Sequence, residues 1–231
     1  MWPTVVECNL PASSTRSSFT VHFIENTSSS NSLNDIRPFL IDPQLLSGLA
    51  SGETAGVNLL PDLSKNSPAR VCDLLRSAAK PGDISVVSIH WGPNWGYEIP
   101  DEQRRFAHKL VDETGVSVIH GHSSHHPKAI EVYRNRLILY GCGDFLNDYE
   151  GIEGYEEYRA DLSLMYFVDV DTTSGDLVAL ELTPLQIRRF RLEPAASIDA
   201  EWIARRLDRE SAKFGVTVER ASAQSLTVAW L

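Results

Sequence analysis

Cysteine is scarce in this chain. Cys8, Cys72 and Cys142 are the only three, and none shows Cys-x-x-Cys spacing. An odd, scattered set argues against a disulfide framework and against a thiolate zinc site, and it points to a reducing, cytoplasmic compartment. Basic residues are also few: 21 Lys and Arg stand against 31 Asp and Glu, a formal charge of −10. Nucleic acid is therefore not an expected partner, because phosphate binding needs a basic face. No apolar run approaches the ~18 residues that span a bilayer, so no membrane segment is expected, and "LSLMYFVDV" reads as a strand. The N-terminal "MWPTVVECNLPASS" has no basic region followed by an apolar one, and no signal peptide is expected.

What is present is patterned unevenly. The 231 residues are 42% hydrophobic, enough for one sizeable core. Residues 1–52 are rich in Ser, Thr and Asn and show little apolar periodicity; they read as an irregular extension or remnant, with "SFTVHFIE" as one strand candidate. Residues 53–231 carry the core. Ser67-Pro68 reads as a helix start, with Val71, Leu74, Leu75 and Ala78 at helical spacing. "DISVVSIHW" is a β-branched strand. "PDEQRRFAHKLVDETG" is a helix capped by Asp101, stopped by Gly115 and buried through Phe106, Ala107, Leu110 and Val111. "VSVIHGH" is the next strand, which makes one β-α-β unit with parallel strands and a right-handed crossover. "AIEVY-RN-RLILY" and "SLMYFVDV-DTTSGD-LVALELTPL" read as hairpins. "DAEWIARRLDRESAKFG" reads as an amphipathic helix with Trp202, Ile203, Leu207 and Phe214 on its apolar side, and "VTVERA" and "SLTVAWL" as closing strands.

Four of the seven histidines fall within His120–His126. Ligands of α/β sheets sit beyond the carboxyl ends of parallel strands. His90 ends the first strand of the β-α-β unit, and His120 and His122 end the second. Neighbouring strands lie about 4.8 Å apart, so these imidazoles can converge, with His125 and His126 following in the loop. Imidazole is a common transition-metal ligand. His22 and His108 read as structural. Gly92 and Gly121 let the backbone leave the strands sharply, while Trp91, Trp95 and Tyr97 are open to either a pocket-lining or a packing role.

The run from "SVVSIHWGPNWGYEIP" to "LILYGCGDFLNDYEG" resembles the C-terminal half of the bacterial capsule-synthesis CapA (poly-γ-glutamate synthesis) family, within the calcineurin-like metallophosphoesterase superfamily. The resemblance rests on His90-Trp91-Gly92, Gln103 to His108, Gly121 to His125, Ile130-Glu131, and Tyr140 to Phe145. It implies a four-layer α/β/β/α sandwich, here truncated, and two divalent transition-metal sites (Mn, Fe or Zn). On that resemblance His90, His122 and His125 are metal ligands. His120 is a ligand or a catalytic acid, and Asp144, where many relatives have asparagine, is an orienting carboxylate of the catalytic set. The implied substrate is an anionic small molecule or a poly-γ-glutamate-like polymer.

One departure bears on activity. The family's Gly-Asp and Asn-His-x-x-Asp pairs, which bridge two metals, have no counterpart in residues 1–52. The reading is therefore a metal-dependent hydrolase domain that is truncated and impaired, with a non-catalytic metal- or polyanion-binding module as the alternative. A cysteine hydrolase using Cys142 is the least favoured, since a cysteine after an apolar strand is usually buried and inert.

Overall fold

The computed structural model describes residues 5–10, 18–19, 60, 63, 66–79, 83–145 and 152–231. The β-branched run Ile84–His90 forms β3, Asp101–Thr114 forms α2, and Val118–His122 forms β4. β3 and β4 are parallel, with Val86 opposite Val118 and His90 opposite His122. The hairpin β5 (Ile130–Tyr133) and β6 (Arg136–Leu139) turns through Arg134 and Asn135, both at positive φ as a two-residue turn requires. β6 lies parallel to β4. The sheet is completed by β1 (Val5–Leu10), antiparallel to β3, giving the order β1-β3-β4-β6-β5. A second, antiparallel sheet holds β2 (Ser18–Phe19), β7 (Leu162–Val170), β8 (Leu177–Arg188), β10 (Val216–Arg220) and β11 (Leu226–Trp230) in the order β10-β11-β8-β7-β2, with β9 (Arg191–Pro194) paired to β8.

Alternation along the strands builds the core between the sheets. Leu162, Leu164, Tyr166, Val168 and Val170 of β7 meet Ile84, Val86, Val118, Leu137 and Leu139 of the first sheet. Each fully buried side chain of this kind stabilises the fold by about 1.5–3 kcal/mol. The other face of the first sheet is covered by α1 (Asn66–Ala78) and α2, through Val71, Leu75, Phe106, Ala107 and Leu110 packed on Val87, Ile89, Ile119 and Ile138. The chain is thus a mixed α/β sandwich, and helix, sheet and sheet are its evident layers among the described residues. The helix α3 (Ser197–Ser211) sends Ile203, Ala204 and Leu207 into the core between the sheets. Glu181, Thr217, Glu219 and Thr227, on the outward face of the second sheet, are exposed.

Several local readings change. α1 is already helical at Asn66, and Leu74 is exposed on it. Asp101 is the first residue of α2 rather than its cap: Pro100 holds that place, with no side-chain cap bond. Gly115 does end α2 in the left-handed conformation. Phe214 belongs to a 3-10 turn, Ala212–Phe214, and packs on the helix-covered side of the first sheet instead of sharing the face of Ile203. Within residues 1–52, β1 and β2 are strands; the rest of "SFTVHFIE" and His22 lie outside the described residues.

Candidate metal centre

Parallel pairing of β3 and β4 decides where the histidines go. His90 and His122 are opposite one another, and their Nδ1 atoms stand 3.3 Å apart. The rings meet edge to face with centroids 5.0 Å apart. Two nitrogens bound at ~2.0–2.1 Å to one tetrahedral ion are about 3.3–3.4 Å apart, so this spacing fits two corners of such a site. Both residues are half-buried, as an edge site requires. Two residues back, His120 is buried, with Nδ1 2.9 Å from the Ser88 hydroxyl. Burial, and then the neighbouring His122, hold its pKa well below the ordinary imidazole value, so it stands neutral.

His125 is engaged elsewhere. Its Nδ1 lies 3.1 Å from both carboxylate oxygens of the buried Asp144, and its Nε2 lies 3.4 Å from the Asn94 amide nitrogen. A carboxylate accepts only, so Nδ1 carries the proton and donates it, and the Nε2 lone pair faces Asn94. The His125 backbone N–H also donates to Asn94 O at 3.1 Å. Asp144 is therefore the orienting carboxylate for His125. Its own backbone carbonyl accepts the Ser163 hydroxyl at 2.6 Å, which ties the site to the second sheet. Among the described residues, no three His, Cys, Asp or Glu side chains form a group able to hold an ion. The histidine edge supplies a two-nitrogen corner at His90–His122 and a separately oriented imidazole at His125.

Glycine makes the edge possible. A Cβ on Gly121 would meet the indole nitrogen of Trp91 and stand 2.5 Å from Leu139 O and 2.8 Å from Tyr140 O. Trp91 is buried, donates Nε1–H to Tyr140 O at 3.0 Å, and its backbone N–H donates to His122 O at 2.9 Å. Its role is packing. Trp95 is the aromatic that borders the histidines, with its ring 5.3 Å from His125 and stacked on Tyr155 at 4.2 Å.

Several polar residues near the edge give no sign in the sequence. His126 is fully buried against Tyr97 and Tyr158, and desolvation pushes its pKa down to about 4. Lys128 is buried with its Nζ donating to Pro93 O at 3.4 Å; burial, and then Lys213, push its pKa down to about 8. Behind the sheet, Glu131 accepts the Tyr140 hydroxyl at 2.5 Å and lies 2.9 Å from His108 Nε2. That network gives the signature residues His108 and Glu131 a structural purpose. Cys142 lies in the core between the sheets beside the Tyr166 hydroxyl, an unsuitable setting for a nucleophile.

A sequence profile of the family described as bacterial capsule synthesis protein PGA_cap matches residues 22–149, more than half of the chain. The chain belongs to the bacterial capsule-synthesis PGA_cap family. The "Probable polyglutamine synthesis accessory protein" of Mycobacterium tuberculosis is 44% identical over 170 residues, 73% of this chain and 44% of that protein. The "PGA biosynthesis protein CapA" of Bacillus subtilis is 29% identical over 153 residues, 65% of this chain and 38% of its own length. The "Capsule biosynthesis protein CapA" of Bacillus anthracis is 25% identical over 174 residues, 74% and 39% respectively. The matched stretch thus spans under half the length of each relative. Among the described residues, no helix is long and apolar enough to cross a membrane.

Proposed function

We propose that this PGA_cap chain binds a divalent transition metal (Mn, Fe or Zn) through His90 and His122 and is part of a metal-dependent hydrolase. Its substrate is an anionic molecule or polymer of poly-γ-glutamate type, in keeping with the names of the relatives. The observation that carries this is the His90–His122 pair at the carboxyl ends of two parallel strands, with nitrogens 3.3 Å apart. His125, oriented by Asp144, is the third imidazole of the proposed set. A bound ion supplies Lewis-acid polarisation of a substrate oxygen. The chain's own residues do the rest. Asp144 holds the proton on His125 Nδ1, and Ser88 fixes His120 as a neutral imidazole beside the edge. The Gly92–Tyr97 loop is held through Pro93 by Lys128 and through Asn94 by His125.

A non-catalytic metal- or polyanion-binding module is the second reading. It is favoured by the fact that among the described residues no three metal-ligating side chains form one group. Residues 1–52 also carry neither the Gly-Asp nor the Asn-His pair. Single electrostatic contributions at such sites are worth about 10²–10³ in rate, and we expect residues 1–231 to hydrolyse weakly. The test is a chromogenic phosphodiester assay of this chain, saturated with Mn²⁺, beside a relative that carries both pairs. Weak turnover abolished by His90→Ala supports an impaired hydrolase. Metal binding with no turnover supports the binding module, and turnover within tenfold of the relative would contradict the impairment.

A further inference from the structure

The outward side of α3 is rich in cations, although the chain carries a formal charge of −10. Arg205, Arg206, Arg209 and, from β10, Arg220 share two carboxylates. Glu201 lies 2.6 Å from Arg205 and 3.7 Å from Arg220, and Glu210 lies 3.6 Å from Arg206 and 3.0 Å from Arg209. Arg205 and Arg209 are exposed, and surface pairs of this kind contribute only about 0–1 kcal/mol each. A carboxylate from another molecule can therefore replace the helix's own glutamates at little cost. Trp202, Arg205, Arg206 and Arg209 line a shallow, open groove.

Arg206 is the fixed member of the row. It is half-buried, with its guanidinium 4.5 Å over the Tyr97 ring and 5.3 Å over the Trp202 ring. Contact with two rings holds the planar fork and leaves the N–H donors at its rim for a carboxylate. Glu210, at 3.6 Å, stands farther off than a charge-assisted hydrogen bond of ~2.7–2.9 Å. The Tyr97 hydroxyl is itself buried with no hydrogen-bond partner among the described residues. Burial, and then Glu210, raise its pKa, so it stays a donor. One loop joins this groove to the histidine edge. Tyr97 follows Trp95, whose ring is 5.3 Å from His125, and the Tyr97 ring is 4.6 Å from His126. Lys213, just beyond α3, donates to Tyr97 O at 3.5 Å and ties the loop to the helix.

We propose, on the reading of the substrate as an anionic polymer, that the α3 groove is a carboxylate-binding subsite that grips such a polymer beside the histidine edge. Arg205 and Arg209 stand one helical turn apart, ~6 Å along the axis, so carboxylates repeated along a flexible chain can meet both. Arg206, held by its two rings, takes a carboxylate between them. The guanidiniums of this row already engage glutamate side chains, which is the chemistry a polyglutamate would present. A nucleic acid needs a continuous basic face, and a groove on one helix of an acidic chain does not supply it. Screening confines the field of the remaining acidic surface to about 8 Å at physiological salt, so it does not cancel the groove.

The test is fluorescence anisotropy of a short labelled poly-γ-glutamate with residues 1–231 in metal-free buffer. The parent chain should bind it, more weakly as salt is added. Changing Arg205, Arg206 and Arg209 together to Gln should weaken binding by about tenfold or more. Arg206→Lys keeps the charge but loses the stacked planar fork, and should weaken it several-fold. His90→Ala should leave polymer binding as in the parent, whereas the triple arginine variant should take up Mn²⁺ as the parent does. These two readouts separate the groove from the metal edge and from damage to the fold. No polymer binding by the parent, binding unchanged in the triple variant, or tighter binding of inorganic polyphosphate than of polyglutamate would each overturn the proposal. Failure of the parent to bind Mn²⁺ would strike the metal reading instead and leave arginine-dependent polymer binding in support of the groove.

Discussion

His90 and His122 face each other across parallel strands with Nδ1 atoms 3.3 Å apart, and Gly121 lies between His120 and His122 on the strand that presents both. Gly121 holds that geometry because Leu139 O, Tyr140 O and the Trp91 indole occupy the space a side chain would take. Two of these are backbone atoms and cannot rotate away. Gly121→Ala should therefore cost about 3 kcal/mol or prevent folding, within the range of severe overpacking. Urea denaturation measures it, and a cost below about 1 kcal/mol would show that the strands can separate there.

Behind the same sheet, Glu131 is a buried carboxylate serving two partners, Tyr140 and His108. Glu131→Ala leaves both without their acceptor and should cost about 3 kcal/mol, while Tyr140→Phe removes one bond and should cost about 1 kcal/mol. Equal costs would mean that His108 gains nothing from the pair.

The fold was legible where sequence neighbours are also spatial neighbours. The β-α-β unit, both hairpins and α3 follow from local periodicity, turn residues and Gly115, and each helix or strand finds its partner within a few tens of residues. β1 was not legible: "VVECNL" is short, set in a Ser- and Thr-rich run, and pairs with β3 nearly eighty residues on. β9 was hidden because Arg189-Phe190 carries none of the usual turn residues. At the site, the pairing of His90 with His122 was legible from their place at strand ends. The burial of His126 and Lys128 was not, because a polar side chain gives no periodic sign when loops close over it.

His126 supplies a pH dependence. Desolvation lowers its pKa from 6.5 to about 4 in the folded protein. The unfolded chain then binds a proton near pH 6.5 that the folded chain refuses. Stability is full above that pH and declines as pH falls toward about 4, by up to about 3 kcal/mol. His120, also shifted down by burial, acts in the same direction. Tm measured from pH 7 to pH 4.5 should fall less steeply in His126→Gln than in the parent. Parallel profiles would show that His126 takes up its proton without penalty in the folded state.

The most direct test of the proposed metal edge is calorimetric titration of Mn²⁺ or Zn²⁺ into the parent chain and its His90→Ala, His122→Ala, His125→Ala and His126→Ala variants at pH 7.5 and 5.5. Protons compete with the ion for imidazole nitrogens, so affinity should be lower at the acid pH. Loss of either strand-end histidine should weaken binding at least tenfold. His125→Ala should lower it clearly, and His126→Ala, whose ring is packed away among Tyr97 and Tyr158, should leave it unchanged. Binding that survives the combined loss of His90 and His122 would contradict the account.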